Sequence, residues 1–321
     1  METKTSLRIR TAFSALIITA LLTAFQACTN TNELIEKGCA LGKAGNYQEA
    51  IEAFTKAIKR DSHNAKIFYY RGFAYYKLGD NQQAIQDYTK AIELKPDNSD
   101  AYNLRGLSYR NFGNNEQAIQ DYNRAIGLNE KNAGAFYNRG IAYLNSGNYQ
   151  QAIQDFAKVT ELKPIDSTAF NGLGLSYYNL GNYKQAIQNY DKAIKLNPNY
   201  EYNYLRSVIA AGYLSKNERK VRLEILGRYV RETGSDAWVR SISMYYLGKI
   251  SKDRLLAEAK KGKDDKDSNG RLCEAYYYMG EAMWFDKDKK GALDCFKKSL
   301  ETGINNYVEY NQAKILLKKL Q

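Results

Sequence analysis

Gly79-Asp80-Asn81-Gln82-Gln83-Ala84-Ile85 decides how this chain folds, because the same pattern returns at a fixed interval. Gly45-Asn46-Tyr47-Gln48-Glu49-Ala50-Ile51, Gly113-Asn114-Asn115-Glu116-Gln117-Ala118-Ile119, Gly147-Asn148-Tyr149-Gln150-Gln151-Ala152-Ile153 and Gly181-Asn182-Tyr183-Lys184-Gln185-Ala186-Ile187 complete a series spaced by 34 residues. Five equal repeats therefore fill residues 31–200 without an insertion. One such repeat is too short to bury its own apolar face, so stacked copies must share a continuous core. Over residues 65–98 the apolar spacing predicts helix A at 65–78 and helix B at 81–94, joined by a turn in which Gly79 takes positive φ. Gly72 and Ala84 are small where the helices cross, and Phe68, Tyr75, Tyr88 and Ala91 fill the space around the crossing. Pro96 stops helix B, since proline cannot continue the hydrogen-bond ladder, and Pro164 and Pro198 stand at the same offset.

Two charged positions vary together. Arg71, Arg105 and Arg139 occupy the seventh position of helix A, and the same repeats carry Asp87, Asp121 and Asp155 sixteen residues later on helix B. The first repeat has Lys37 and Ala53 instead, and the fifth has Leu173 and Asn189. Pairing each Asp with the following repeat would leave Asp155 facing Leu173. The expectation is therefore a structural ion pair inside each of the three repeats.

The 34-residue period, with aromatic, Gly, Tyr, Ala and Pro at fixed offsets, resembles the tetratricopeptide repeat (TPR). The resemblance implies an all-α fold: a TPR solenoid of antiparallel helix pairs forming a right-handed superhelix, with helix A lining the concave face. At its inward-facing offsets stand Tyr69, Phe73, Tyr76 and Lys77, then Asn103, Leu107, Arg110 and Asn111, then Tyr137, Ile141, Leu144 and Asn145, then Asn171, Leu175, Tyr178 and Asn179. Tyrosines offer contact area at low entropy cost, and asparagines could pair with the backbone of an extended peptide. A protein or peptide ligand in this partner-binding groove is expected. The alternative is that some of these aromatics only pack between repeats. The two-lysine arrangement that clamps a carboxylate in cytosolic chaperone-binding repeats is not seen at the matching offsets.

The first 27 residues differ in kind. Lys4, Arg8 and Arg10 precede an uncharged apolar stretch from Thr11 to Phe25, too short to span a bilayer and suited to an export signal. Phe25-Gln26-Ala27-Cys28 resembles a bacterial lipobox, which implies cleavage before Cys28 and lipidation of its thiol; Phe25 and Gln26 depart from the usual residues. The other reading is an ordinary signal peptide followed by a coincidental cysteine. Two or three acyl chains would anchor the chain stably, at about 0.8 kcal/mol per buried methylene. Thr29 after the cysteine implies, by the same resemblance, the outer membrane facing the periplasm.

Beyond residue 200 the pattern decays. Helices are expected at 201–214, 217–232, 236–248 and 252–261, followed by a polar loop from Gly262 to Asn269. Tyr276, Gly280, Met283, Ala292 and Phe296 then restore the repeat offsets, and a last helix from Tyr307 to Leu320 is expected to cap the stack. The organisation read from the chain is a lipoprotein signal peptide at 1–27, an anchor linker at 28–30, five regular repeats at 31–200, a degenerate helical region at 201–272, and a final TPR-like repeat with its capping helix at 273–321.

Trp238, Tyr245-Tyr246-Leu247-Gly248, Leu272-Cys273-Glu274-Ala275-Tyr276-Tyr277-Tyr278-Met279-Gly280-Glu281 and Val308-Glu309-Tyr310 resemble the C-terminal half of bacterial TPR lipoproteins of the NlpI type. That resemblance implies a membrane-anchored envelope adaptor without catalytic residues, bringing proteases or peptidoglycan hydrolases to their clients, and it implies a homodimer. Five regular repeats ahead of the tail depart from that type, so its particular partners do not transfer. A second reading is an assembly factor for a pilus or for outer-membrane protein insertion; a remote third is an envelope hydrolase.

Composition supports a protein that performs no chemistry of its own. One histidine among 321 residues, His63, leaves little for acid–base work at neutral pH, and four cysteines are too scattered for a zinc cluster. No metal, cofactor or catalytic residue is expected, and Cys39, Cys273 and Cys295 read as buried thiols rather than a disulfide. The formal charge of +12 falls to +10, from 44 basic and 34 acidic residues, once residues 1–27 are removed. That charge is interleaved with acids, so no nucleic acid is expected. The basic stretches Lys216–Arg231 and Lys249–Lys263 read as solvated helix faces or as contacts for anionic head groups and wall polymers.

Overall fold

The structure is a computed structural model that describes residues 31–232, 237–304 and 308–320. The expected signal peptide and Cys28 lie outside the described residues. Every regular element described is helical: α1 (31–43), α2 (Tyr47–Arg60), α3 (Ala65–Leu78), α4 (Asn81–Leu94), α5 (Ser99–Asn111), α6 (Asn115–Leu128), α7 (Ala133–Asn145), α8 (Tyr149–Leu162), α9 (Ser167–Asn179) and α10 (Tyr183–Leu196) form the five repeats. The less regular part holds α11 (Tyr202–Leu214), α12 (Lys216–Glu232), α13 (Ala237–Tyr246), α14 (Lys252–Ala259), α15 (Asp265–Phe285), α16 (Lys289–Glu301) and α17 (Val308–Leu320). No described helix is long and apolar enough to cross a membrane.

Local chemistry sets these boundaries. Gly45, Gly79, Gly113, Gly147 and Gly181 all take φ between 79° and 92°, the left-handed turn that lets helix A reverse into helix B. Asp80 then caps α4 by accepting from the Gln83 amide, and Asn98 caps α5 by accepting from Asp100 and Ala101. At the helix crossings small residues face large ones. A Cβ on Gly174 would lie 2.5 Å from the Tyr190 ring, so only glycine admits that approach. Tyr88, Tyr122, Phe156 and Tyr190 are fully buried at equivalent crossings, and burying the Phe156 ring contributes about 1.5–3 kcal/mol relative to exposure.

The chain divides into two compact units between Ala142 and Tyr143. The division falls inside the regular array, not at residue 200 where the sequence pattern decays. Its physical reason is a single core in which Tyr178, Ile187 and Tyr190 of the fifth repeat join Leu205, Ile209, Ile242, Tyr278, Phe296 and Leu316 of the tail. The expected polar loop at 262–269 is corrected. Asp264 caps a helix there by accepting from the Asp267 amide, Asp265 and Asp267 favour its positive N-terminal end, and α15 begins eight residues before Cys273. Cys273 consequently lies well inside α15 instead of at its start, buried 3.3 Å from the Ser299 hydroxyl.

Candidate functional site: the helix A face

Arginine at the seventh position is held from both sides. Arg71 donates to both oxygens of Asp87 at 2.8 and 2.7 Å, and Arg105 does the same to Asp121. Each also reaches back sixteen residues, to Thr55 and Thr89, at 3.1 Å. Arg139 donates to Asn123 at the equivalent place. Burial lowers the pKa of Arg105, but the hydrogen bond and charge of Asp121 outweigh it and raise the net value. These side chains tie successive B helices together and leave the concave face to other residues. The backward contact had a sequence signal: an oxygen acceptor, Thr55, Thr89 or Asn123, precedes each such arginine, whereas Ala157 precedes Leu173.

In residues 31–142 the predicted groove residues of α3 and α5 lie half-buried or exposed. Tyr69 packs edge-on against Tyr88 with centroids 6.0 Å apart, and burial pushes its phenol up to about 12. Lys77 holds its ammonium 5.3 Å from the Phe73 ring. Burial raises the pKa of the Tyr122 phenol, and the nearby charge of Arg110 opposes that rise while Tyr76 adds to it. Between α1 and α3 opens a cavity of about 380 Å³ lined by Cys39, Gly42, Lys43, Tyr69 and Phe73 among others. Gly42 creates it, because it holds the position that Tyr76 fills one repeat later, and a Cβ there would meet open space. Cys39 is a free thiol whose pKa is raised by burial, so it stays protonated at neutral pH. Leu107, Tyr137 and Ile141 are half-buried and Asn111 is exposed.

Two of the groove asparagines bond within the array. Asn103 accepts from Asn138 at 3.0 Å, and Asn171 donates to Asn203 while accepting from Arg206 at 3.0 Å. These bonds pair neighbouring A helices and occupy the oxygen of Asn103 and both groups of Asn171, while Asn111 and Asn145 are exposed.

Further along, the face expected to be open is covered. Leu144, Leu175, Tyr178 and Asn179 are buried. Asn179 donates to the Leu175 carbonyl within its own helix. Leu144 and the exposed Asn145 share a cavity of about 300 Å³ with Val308, Gln312 and Ile315 of α17. The capping helix thus packs on α15 and α16 and also borders the end of α7.

What covers this face is chemically specific. Glu281 of α15, with 0% exposure, accepts from the Tyr178 hydroxyl at 2.8 Å, Tyr213 at 3.1 Å and Tyr277 at 3.3 Å. Glu274 accepts from Tyr202 at 2.8 Å and from the Trp238 indole at 2.7 Å. Glu309 of α17 pairs with Arg206 at 3.4 Å and accepts from Tyr278. Burial pushes the Glu281 carboxyl up to about 7 against the pull of its tyrosines. Burial, then the charge of Glu309, pushes Glu274 up to about 8. The three glutamates were missed as a group by sequence reasoning. Their signal was isolation: two acids inside Leu272–Phe285, an otherwise apolar run, belong inside and must find donors there.

Family models described as tetratricopeptide repeat match residues 35–99, 87–120, 133–166 and 167–200, and one described as TPR repeat matches 106–147. Together they span 35–200, just over half of the chain. The chain belongs to the tetratricopeptide-repeat family. Solved TPR structures extend the likeness into the tail. A TPR protein from Parabacteroides merdae is 22% identical with a TM-score of 0.54, covering 91% of this chain and 99% of its own. The C-terminal part of a TPR repeat-containing protein from Cytophaga hutchinsonii is 22% identical with a TM-score of 0.51, covering 86% and 98%. The pilF protein of Pseudomonas aeruginosa is 19% identical with a TM-score of 0.55, covering 65% and 95%. At these identities the likeness is one of fold. Among the described residues no group of three His, Cys, Asp or Glu is placed to hold a metal ion.

Proposed function

We propose that this TPR protein is a non-catalytic scaffold, held at a bacterial envelope membrane through lipidated Cys28, that presents the concave face of its early repeats to another protein. The observation that carries this reading is the contrast along one face. Tyr69, Phe73, Tyr76 and Lys77 remain half-buried or exposed, whereas the equivalent Leu175, Tyr178 and Asn179 are buried beneath the chain's own tail. Aromatic side chains with a cationic edge suit a protein surface. An anchor would confine the partner to the membrane and raise its effective concentration near clients there without new chemistry. The adaptor reading, with proteases or peptidoglycan hydrolases as partners, follows from the NlpI-type resemblance.

Affinity capture from membranes tests it. The wild-type chain should retain partners that a Tyr69→Ala, Tyr76→Ala, Tyr137→Ala variant loses, with helix content unchanged by circular dichroism. Identical partner sets would remove the groove from the account. Palmitate incorporation should vanish in Cys28→Ala; labelling that persists there would place the anchor elsewhere.

A further inference from the structure

In the tail, a helix of the chain itself meets the helix A face. Glu281 of α15 lies over the C-terminal ends of α9 and α11, taking hydrogen bonds from Tyr178 and Tyr213. Counted along their A helices, those tyrosines hold the twelfth and thirteenth positions. Leu175 and Ile209, at the ninth positions, line an apolar floor with Tyr277, Tyr278 and Val308. Helix α15 thus meets these A helices with Tyr277 and Tyr278 beside Leu175 and Ile209, and with the buried Glu281 carboxyl held by tyrosine hydroxyls.

Residues 31–142 repeat that layout. Phe73 and Leu107 hold the ninth positions of α3 and α5, Tyr76 and Arg110 the twelfth, and Lys43 and Lys77 the thirteenth of α1 and α3. The edge that receives Glu281 in the tail is here a row of three cations across α1, α3 and α5. Among the described residues none of the three is in an ion pair. The opposite edge carries no such row: Lys66 and Asp100 hold the second positions of α3 and α5, and Asp100 accepts from Asn132. The excess of positive charge therefore lies at the edge of Lys43, Lys77 and Arg110 and favours an anionic ligand there.

We propose that the concave face of α1, α3 and α5 receives an amphipathic helix bearing a row of glutamates or aspartates on one edge. That edge lies over Lys43, Lys77 and Arg110, and the apolar side rests on Phe73 and Leu107. The assignment rests on the scaffold reading and names the chemistry of the partner. Its test uses the mature full-length chain and three labelled peptides of roughly 20 residues, long enough to form a helix. One is an alanine–leucine helix with glutamates along one edge; the second has glutamine in their place; the third is the glutamate peptide interrupted by prolines. Fluorescence anisotropy should show the glutamate helix bound, with the glutamine and proline forms weaker by about tenfold or more. Lys77→Glu with Arg110→Glu should weaken the glutamate helix to the same degree, while Lys90→Glu on helix B leaves it unchanged. Equal binding of glutamate and glutamine forms, indifference to the charge reversal, or failure of the glutamate helix to bind would overturn the assignment. So would full binding of the proline-interrupted peptide, which would mark an extended ligand. None of these results touches the scaffold reading, which stands or falls on membrane capture.

Discussion

Replacing Arg105 with leucine is expected to lower the local stability of α5 and α6 by about 3 kcal/mol, far more than the same change at a surface arginine. Arg105 and Asp121 are only 17% and 8% exposed at their side chains, and Arg105 is the donor to both carboxylate oxygens. Removing the guanidinium leaves the Asp121 charge buried without its counterion, and the Thr89 hydroxyl loses its donor. The protein itself supplies the compensated form, because the fifth repeat carries Leu173 and Asn189 at these offsets. Arg105→Leu with Asp121→Asn should therefore recover most of the loss. Hydrogen exchange of the α5 and α6 amides measures both, since it reports local opening free energy in an array that need not unfold as one. A single variant as stable as wild type, or a double variant no better than the single, would show that the pair is not buried as described.

The second large effect is a dependence of stability on pH in residues 143–321. The ordinary glutamate value is 4.5, and burial pushes Glu281 up to about 7. Between those values the folded state keeps a proton that the unfolded state releases, so stability falls as pH rises through this window. For Glu281 the loss is on the order of 3 kcal/mol, and Glu274, raised to about 8, extends it in the same direction. The groups facing Glu281 are Tyr178 of α9, Tyr213 of α11, Tyr277 of its own helix and the charge of Arg219 on α12. Carboxylates with lowered values act in the opposite sense at lower pH: Glu258, held by the Lys261 hydrogen bond, and Asp267, held by the Lys263 amide, lose their contribution as pH falls below the ordinary range. Both tryptophans, Trp238 and Trp284, lie in 143–321, so fluorescence excited selectively at tryptophan reads this part. The urea midpoint of that signal should fall from pH 5 to pH 8, and Glu281→Gln should flatten the early part of the slope. A midpoint that rises across the window, or a slope untouched by the substitution, would contradict the burial of an ionisable Glu281.

The repeats were legible because each constraint recurs, the two glycine offsets in five repeats and the proline stop in three. Gly79 and its equivalents mark the turn, Gly72 and Gly174 the close crossing, and Pro96 and its equivalents the stop, and each acts within one repeat. The coupling of Arg105 with Asp121 could be read because the first and fifth repeats lack both. Where a residue acts across the fold, the periodic signal ends. Tyr178 has the same offset as Tyr76, yet Tyr178 is buried because Glu281, 103 residues later, meets it. Asn103 and Asn171 look like ligand contacts in sequence, but the neighbouring A helix claims their amides. The start of α15 was hidden for a different reason: Asp264, Asp265 and Asp267 read as a polar loop by composition and act as a cap and first turn in the structure.

In the proposed scaffold the helix A face of the early repeats, and not the outer surface, meets another protein. A photo-cross-linking residue in place of Tyr76, irradiated in membranes of the producing cell, addresses it directly, with the same residue in place of Lys90 on helix B as reference. A covalent adduct with a second protein is expected from position 76 and none above background from position 90. Adducts from position 90 with none from position 76 would contradict it.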